Sequence, residues 1–312
     1  SRPYAKAILR DAPDLDILVT GHPLAVVPDL VDRLEGGRRL DGLAGIVYRE
    51  RGRIETADGR EEVVPFDDLP LPAYDLLDSF DPYFLIDPVL KPYALVYGGQ
   101  GCPFACTFCC VGRTAYASKS ADYIVRELRL LKERARIRYV CFHDEVFTLD
   151  RKKATELCER LIAEDLGIRW FCDSRVDLVT PELLRRMRRA GCMGVAYGVE
   201  SGSPRILEAM KKGATVRQAA DAIERARAAH IPTQVNLMPG FLGEDGETLA
   251  ETEAFVRDTA PHFLKIGGAG PIKGTEFARA VAEHGWVEET DRGYRFSGYP
   301  FYPHGNGGLD GE

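Results

Sequence analysis

Short apolar runs and longer amphipathic stretches alternate through most of this chain. The apolar runs are rich in β-branched and aromatic residues, and each is followed by a segment with helical periodicity. They occupy residues 93–97, 138–142, 168–172, 193–197, 233–237 and 263–266. Strands that alternate with helices are typical of parallel βα units, so we predict an α/β fold. The expected architecture is a partial (β/α)6 barrel, an open relative of the eightfold TIM barrel.

The predicted helices have recognisable ends. Asp150, Thr180 and Ser203 stand where N-cap residues are expected, and the last two precede a proline at the first helical position. Gly191 and Gly213 follow helical stretches, where glycine favours termination. These signals delimit the loops of the predicted barrel, which are the segments that can carry a site.

Polar residues gather where the predicted strands end. The segments HDEVF, DSR, GVESGS and NLMPG follow or close the second, third, fourth and fifth strands. Polar surface turns would look similar, but acidic and amide groups recur at equivalent positions of successive units. Because the active groups of such barrels lie at the carboxyl ends of the strands, we expect a site on that face.

Composition and charge limit the classes of function. The chain has 312 residues, 45% of them hydrophobic, and a formal net charge of −7. An acidic chain lacks the positive field that binding to nucleic acid needs, so we interpret the basic runs at 126–138 and 185–189 as solvated helix faces. No apolar run approaches the roughly 18 residues of a membrane span, and no signal peptide is recognisable, although the chain opens at Ser1 rather than Met.

Three cysteines with the spacing Cys102-x3-Cys106-x2-Cys109 carry the most specific chemistry. Thiolates select iron-sulfur clusters, zinc or copper(I), and a trio leaves one iron of a 4Fe-4S cluster without a protein ligand. A structural zinc site would need a fourth ligand, and none follows at finger spacing. We therefore predict a 4Fe-4S cluster, with zinc binding and three unrelated cysteines as the alternatives.

The other five cysteines are scattered through apolar segments: Cys110, Cys141, Cys158, Cys172 and Cys192. Free buried cysteine behaves as a small hydrophobe, so we expect these five side chains to be buried thiols. Free thiols indicate a reducing compartment, and we expect a cytoplasmic protein. Cys110 adjoins the trio, but adjacent side chains diverge, so we expect it to point away from the cluster.

The strand YALVY, the glycines Gly98, Gly99 and Gly101, and the cysteine trio with Phe108 before Cys109 together resemble the radical SAM superfamily. The resemblance implies that the open iron chelates S-adenosylmethionine (SAM) and donates an electron that breaks the sulfur to C5′ bond. The resulting 5′-deoxyadenosyl radical abstracts a hydrogen atom from a small-molecule substrate. It also implies an electron donor such as flavodoxin or ferredoxin.

The resemblance extends from about residue 93 to residue 286 and implies roles for individual side chains. Lys211 is the alternative to Lys212 by register. A leucine at 242 and a lysine at 273 stand where many relatives have proline. The implied SAM contacts are Asp144 and Glu145 for the amino group, Glu200, Ser201 and Asn236 for the ribose, and Lys212 for the carboxylate.

The first ninety residues resemble the tail of a cobalamin-binding domain and its linker, although GHPL stands at 21–24 where relatives usually have GEGE. The cobalamin-ligating pattern Asp-x-His-x-x-Gly is absent, and His22 is the region's one histidine. We expect cobalamin only with a longer N-terminal domain. The predicted organisation is a fragment of a Rossmann-like domain with a linker (1–90), a radical SAM partial barrel (91–290) and a tail (291–312).

These features favour a cobalamin-associated radical SAM methyltransferase. The alternative within that class is an oxidative ring cyclase like the anaerobic enzyme of chlorophyll synthesis, whose relatives share the GCPF start. A non-catalytic iron-sulfur or zinc protein is the alternative from another class. No residue identifies the substrate, because function depends on the site and not on the fold.

Overall fold

The computed structural model describes residues 2–57, 65–80, 91–290 and 293–296. The chain divides into two compact units, Ser1–Pro70 and Leu71–Glu312. The predicted boundary near residue 90 and most of the predicted tail lie outside the described residues. Among the described helices, none has the length and apolar character that crossing a membrane requires.

The described part of the N-terminal unit contains two α-helices, a short 3-10 helix at Phe66–Asp68 and a three-stranded antiparallel sheet with the order β1-β2-β3. Its elements are α1 (Arg2–Asp11), β1 (Ile17–Val19), α2 (Pro23–Glu35), β2 (Ile46–Glu50) and β3 (Arg53–Thr56).

Alternation along β2 places one helix on each face of this sheet. Ile46 and Tyr48 pack with Leu30 of α2, whereas Val47 packs with Leu9 of α1. Successive side chains of a strand point to opposite faces, so the central strand contributes to both layers. The unit is therefore a small three-layer α/β/α arrangement.

The hairpin between β2 and β3 was not predicted from the sequence, which indicated only a fragment of a Rossmann-like domain and its linker here. Its turn consists of Arg51 and Gly52, with φ of 49° and 78°. Positive φ at both central residues matches the type I′ turn that suits the twist of a two-residue hairpin. The strand pairs described here are antiparallel, whereas a doubly wound domain pairs its strands mostly in parallel.

The second unit is built on a six-stranded parallel sheet with the order β11-β10-β9-β8-β7-β4. Each of its strands corresponds to one of the six predicted runs, which confirms the α/β partial-barrel prediction. The unit's strands are β4 (Tyr93–Val96), β5 (Gly99–Gln100), β6 (Ala117–Ser118), β7 (Tyr139–Phe142), β8 (Arg169–Ser174), β9 (Cys192–Glu200), β10 (Thr233–Leu237), β11 (Phe263–Ile266), β12 (Val287–Thr290) and β13 (Gly293–Phe296).

A helix follows every strand of the sheet, and two follow β9. The described helices of this unit are α3 (Ala121–Ala135), α4 (Arg151–Glu164), α5 (Pro181–Arg189), α6 (Pro204–Ala209), α7 (Val216–Ala228), α8 (Gly246–Thr259) and α9 (Glu276–Glu283). The extra break between α6 and α7 occurs where Lys211 and Gly213 adopt φ of 51° and 68°, which a right-handed helix cannot continue through. Gly213 is thus the predicted helix stop.

The predicted helix starts are also found. The side chains of Asp150 and Thr180 accept hydrogen bonds from the Lys153 and Leu183 N–H groups and cap α4 and α5. Ser203 precedes α6 without a side-chain cap. These caps satisfy backbone donors that a helix leaves unpaired at its first turn.

Among the residues that the structure describes, the α-helices that follow the strands cover one face of the large sheet. On β9, Val195, Tyr197 and Val199 are buried in the main core, whereas Gly194, Ala196 and Gly198 alternate with them and are partly exposed. Small residues on the uncovered face leave space on the concave side of the sheet. That space ends at the carboxyl ends of the strands.

Candidate active site

A cavity of about 480 Å³ opens at the carboxyl ends of the parallel strands. It is within the range of small-molecule sites. Eight of the nine predicted site residues line it: Cys102, Cys106, Cys109, Asp144, Glu145, Glu200, Lys212 and Asn236.

Ser201 is the predicted site residue that does not line this cavity. It is buried, its hydroxyl accepts a hydrogen bond from the Ser203 N–H at 3.1 Å, and it lies 3.2 Å from the Thr252 hydroxyl. Glu200 has a φ of 71°, so the chain turns sharply at the end of β9 and directs neighbouring side chains to different sides. The structure therefore separates Ser201 from Glu200.

The cysteine loop, residues 101–114, is shaped by its own backbone. Gly101 has a φ of 91°, and a Cβ there would lie 2.0 Å from the Ala115 carbonyl oxygen. The Thr114 N–H donates to the Cys102 carbonyl at 3.0 Å, and the Cys102 N–H donates to Thr114 Oγ1 at 2.9 Å. The Arg113 N–H donates to the Phe104 carbonyl at 2.9 Å. These bonds close the loop that presents the three cysteines.

The eight cysteines are all free and fall into three environments. The trio is partly exposed at the cavity, whereas Cys141, Cys158, Cys172 and Cys192 are buried in the core, as expected. Cys110 does not line the cavity, but it is exposed, which differs from the prediction of a buried side chain. Its exposure separates it from the trio although it directly follows Cys109.

Thr107, at the centre of the cysteine loop, ties the loop to two helix ends. Its N–H donates to the Met210 carbonyl at 3.0 Å, and its own carbonyl accepts from the Phe277 N–H at 2.9 Å. Phe108 packs beside these residues against a second hydrophobic cluster that includes Met210 and Phe277. The loop is thereby held at the end of α6 and the start of α9.

Lys212 and Glu200 form an ion pair at the cavity wall. Lys212 Nζ lies 2.8 Å from Glu200 Oε1, and the two side chains are only 8% and 14% exposed. Lys211, the alternative by register, is exposed and pairs with Glu276. The structure therefore brings Lys212, and not Lys211, into the cavity.

Gly198 allows this pair to lie against β9. A Cβ at residue 198 would lie 2.7 Å from Glu200 Oε1 and 3.1 Å from Lys212 Nζ. Any larger side chain would have to displace the pair. The glycine is thus part of the geometry of the site.

Asp144 and Glu145 bind the glycine turn that leads into the cysteine loop. Asp144 Oδ1 accepts from the Gly98 N–H at 2.7 Å, and Glu145 Oε2 accepts from the Gly101 N–H at 3.2 Å. Burial raises the pKa of Asp144 to about 7. The charge of Glu145 also raises this pKa, whereas the backbone hydrogen bonds lower it. Asp144 can therefore change protonation near neutral pH.

Five further polar residues of the cavity were not assigned by sequence reasoning: Tyr97, His143, Asp173, Ser174 and Arg175. Tyr97 and His143 contact edge to face, with ring centroids 5.5 Å apart. Burial raises the pKa of Asp173, and the charges of His143 and Lys265 oppose that rise. His143 and Asp173 occur in the polar HDEVF and DSR segments, which was the signal that could have identified them.

Asn236 lies at the end of β10 and accepts a hydrogen bond from Gln234 Nε2 at 2.8 Å. Arg175, the last residue of the DSR segment, is also part of the cavity wall and is buried. The charges of Lys212 and Arg175 oppose the rise that burial causes in the pKa of the Cys106 thiol. Two buried cations beside a thiol favour its thiolate form.

The donor set at this cavity fits an iron-sulfur cluster with SAM beside it. Three thiols lie at one cavity, which matches a cluster with an open iron, and nearby cations offset part of the thiolate charge. An ammonium and carboxylates lie in the same cavity, which matches the charged groups of an amino acid. In the described part of the chain, no group of three histidine, cysteine, aspartate or glutamate side chains is arranged to hold a single metal ion.

Comparison with known families gives a match to the Radical SAM superfamily over residues 96–256, just over half of the chain. The chain is 33% identical over 270 residues to an uncharacterized methyltransferase of Pyrococcus horikoshii, covering 86% of this chain and 58% of that protein. It is 31% identical over 261 residues to an anaerobic magnesium-protoporphyrin IX monomethyl ester cyclase of Rubrivivax gelatinosus, covering 81% of this chain and 47% of the cyclase. The chain thus spans about half the length of these relatives.

Among solved structures, the fold is similar to that of TsrM, a radical SAM methyltransferase from Kitasatospora setae. A structure of TsrM with tryptophan and a SAM analogue superposes with a TM-score of 0.76 at 18% identity, covering 90% of this chain and 56% of TsrM. Another TsrM structure, with cobalamin and a [4Fe-4S] cluster bound, gives a TM-score of 0.74. At this level of identity the likeness shows a shared fold.

Proposed function

This chain belongs to the radical SAM superfamily, and from that premise we propose that it is a methyltransferase of the cobalamin-associated class that acts on a small molecule. The 4Fe-4S cluster and SAM follow from membership of the superfamily. The observation that carries the proposal is that the cysteine trio and the Lys212–Glu200 pair line one cavity.

In this proposal Cys102, Cys106 and Cys109 hold the cluster by their thiolates. The cluster, when bound and reduced, supplies the electron that cleaves SAM. The closed backbone of the cysteine loop orients the three thiols. The buried Thr107 and the partly buried Phe108 hold the loop against the second hydrophobic cluster. Part of the conformational entropy of the loop is thus lost on folding, before the metal binds.

Lys212 is the residue that we assign to the SAM carboxylate. An ammonium has three donors, and the Glu200 contact uses one of them, so two remain for a ligand. Glu200 and Asn236 are assigned to the ribose, where a carboxylate and an amide can bind hydroxyl groups. The position of Ser201 outside the cavity removes it from this assignment.

Asp144 and Glu145 are assigned to the amino group of SAM. Both carboxylates already accept backbone hydrogen bonds, and each retains acceptor capacity for an ammonium donor. An ammonium beside Asp144 would favour its ionised form and lower its pKa from the raised value. Binding of SAM is therefore expected to release a proton near neutral pH.

Methylation is supported by the relative of Pyrococcus horikoshii that is named as a methyltransferase. Cobalamin belongs to the proposal because TsrM, whose fold is similar, has been solved with cobalamin bound. The ring of His22 packs edge to face against Phe66, with centroids 5.8 Å apart. We expect cobalamin binding to need several parallel strands, whereas the described strand pairs of the N-terminal unit are antiparallel.

Oxidative ring closure is the second candidate, favoured by the 31% identity to the cyclase of Rubrivivax gelatinosus. A flavodoxin or ferredoxin as electron donor and a cytoplasmic location complete the proposal for either reaction. A non-catalytic iron-sulfur or zinc protein is the remaining alternative.

The test is anaerobic reconstitution with iron and sulfide, followed by incubation with SAM and dithionite. We expect 5′-deoxyadenosine, and none in the Cys102→Ala variant. Absence of 5′-deoxyadenosine from the cluster-loaded protein would contradict the enzymatic proposal. With cobalamin bound, a methyltransferase also forms S-adenosylhomocysteine, whereas a cyclase forms only 5′-deoxyadenosine.

A further inference from the structure

Arg175 is a buried cation whose Nε and Nη2 groups are engaged by neighbouring groups. It follows β8 and is 5% exposed. Its Nε and Nη2 donate to the two carboxylate oxygens of Asp177 at 2.9 and 3.0 Å. Asp177 thus balances its charge with two parallel hydrogen bonds.

The same guanidinium also binds the turn that carries Lys212. Nη2 of Arg175 donates to the Lys212 carbonyl at 2.8 Å. The Lys212 ammonium binds Glu200 in the cavity, so the backbone and the side chain of this lysine are both held. Two fixed points on one residue restrict where its ammonium can lie.

The third contact of Arg175 is with the cysteine loop. Its guanidinium carbon lies 3.6 Å from the ring centroid of Phe104, between Cys102 and Cys106 in the sequence. Lys212 lies 5.9 Å from the ring of Phe108, on the other side of Cys106 in the sequence. Two cation–aromatic contacts therefore flank Cys106, and Arg175 connects to both.

We propose that Arg175 is a positioning residue that fixes the cysteine loop and the Lys212 turn relative to each other, so that the cluster site and the SAM carboxylate site form as one unit. This inference rests on the proposed function, which assigns the cluster to the loop and the SAM carboxylate to Lys212. Arginine suits the task because a planar fork can stack on a ring and bind a carboxylate and a carbonyl simultaneously.

Lysine cannot replace it, because an ammonium offers no planar face and no fork. In cluster-loaded Arg175→Lys, we expect the dissociation constant of SAM to rise about tenfold, since one fixed point of Lys212 is lost. We also expect broader lines in the electron paramagnetic resonance (EPR) spectrum of the reduced cluster, because the loop no longer has one arrangement. Arg186→Lys is the control, because Arg186 pairs with Glu159 on the surface. Its replacement should change neither the dissociation constant of SAM nor the EPR linewidth.

Substitutions of Phe104 test the same link without altering Arg175. Phe104→Leu removes the aromatic face and should shift SAM affinity and EPR linewidth in the same direction as Arg175→Lys, whereas Phe104→Tyr retains the face and should behave like the wild type. If Phe104 had a purely structural role, Phe104→Leu and Phe104→Tyr variants of equal thermal stability would have the same SAM affinity and EPR linewidth. If Arg175→Lys does not fold, the comparison of Phe104→Leu with Phe104→Tyr tests the inference.

The inference is overturned if Arg175→Lys and Phe104→Leu both keep the SAM affinity and the EPR linewidth of the wild type. If Arg175→Lys does not fold, the same result in Phe104→Leu alone overturns it. Failure of the proposed function gives a different result: the wild-type protein itself would then bind no cluster or no SAM.

Discussion

The Lys212–Glu200 ion pair allows stability and ligand binding to be separated. Replacement of Lys212 by methionine removes the ammonium and preserves most of the side chain's length. Glu200, which is 14% exposed, then loses the cation 2.8 Å away. Breaking a fully buried pair costs about 3–5 kcal/mol, and the remaining exposure of both groups reduces this to about 2 kcal/mol.

The double variant Lys212→Met/Glu200→Gln has no unpaired charge. Its stability should return to within about 1 kcal/mol of the wild type, since neutral replacement of a buried pair costs little. SAM affinity should not return. A charge-assisted hydrogen bond to a carboxylate contributes about 1.5–3 kcal/mol, so both variants should bind SAM roughly tenfold to a hundredfold more weakly.

Thermal unfolding of the cluster-free proteins and calorimetric titration of SAM into the cluster-loaded proteins measure these two effects. For a unit of this size, a loss of 2 kcal/mol lowers the unfolding midpoint by about 4–8 °C. Lys211→Met is the matched control, because Lys211 is exposed and its pair with Glu276 lies at the surface, where solvent screens ion pairs. Recovery of wild-type SAM affinity in the double variant would refute the assignment of Lys212 to the SAM carboxylate.

Three further predictions concern the cluster, the buried acid and cobalamin. Replacing all three loop cysteines by alanine should abolish iron binding on anaerobic reconstitution, whereas Cys110→Ala should retain about four irons; iron in the triple variant would exclude the trio as its ligands. Burial raises the pKa of Asp144 to about 7, so the folded state binds the proton of this carboxyl more tightly than the unfolded state does. Urea unfolding should therefore show that the wild type loses stability relative to Asp144→Asn as the pH rises from about 4 to about 7. An equal pH dependence in both would mean that Asp144 titrates normally. The 312-residue chain should retain well under one equivalent of hydroxocobalamin after desalting, since doubly wound domains bind ligands at the ends of several parallel strands; stoichiometric retention lost in His22→Ala would make His22 a ligand.

Much of the second unit could be predicted from local patterns. The six strands of the sheet, the starts of α4, α5 and α6 and the break at Gly213 depend on hydrophobic periodicity, caps and glycine. The cysteine spacing indicated a cluster before any geometry was known. Each of these features is determined by residues that are close together in the sequence, so it can be predicted from the sequence alone.

The N-terminal hairpin was not predicted, although Arg51 and Gly52 occupy a two-residue turn. Arginine at positive φ is uncommon, so the usual Asn-Gly or Asp-Gly signal was missing. Its antiparallel strand pairs form because β2 can bury alternate residues against two helices. That gain depends on packing between segments distant in the sequence.

Only the tertiary structure distinguished Lys212 from Lys211 and separated Ser201 from Glu200. Adjacent residues look equivalent in a motif, but a sharp turn directs their side chains to different surroundings. The role of Arg175 could not be read from the sequence either, because Phe104 and the Lys212 carbonyl meet it from two segments that are distant in the sequence. The sequence alone determined the type of chemistry, through residue identity and spacing. The fold decided which side chains share the cavity, because that depends on contacts across the sheet.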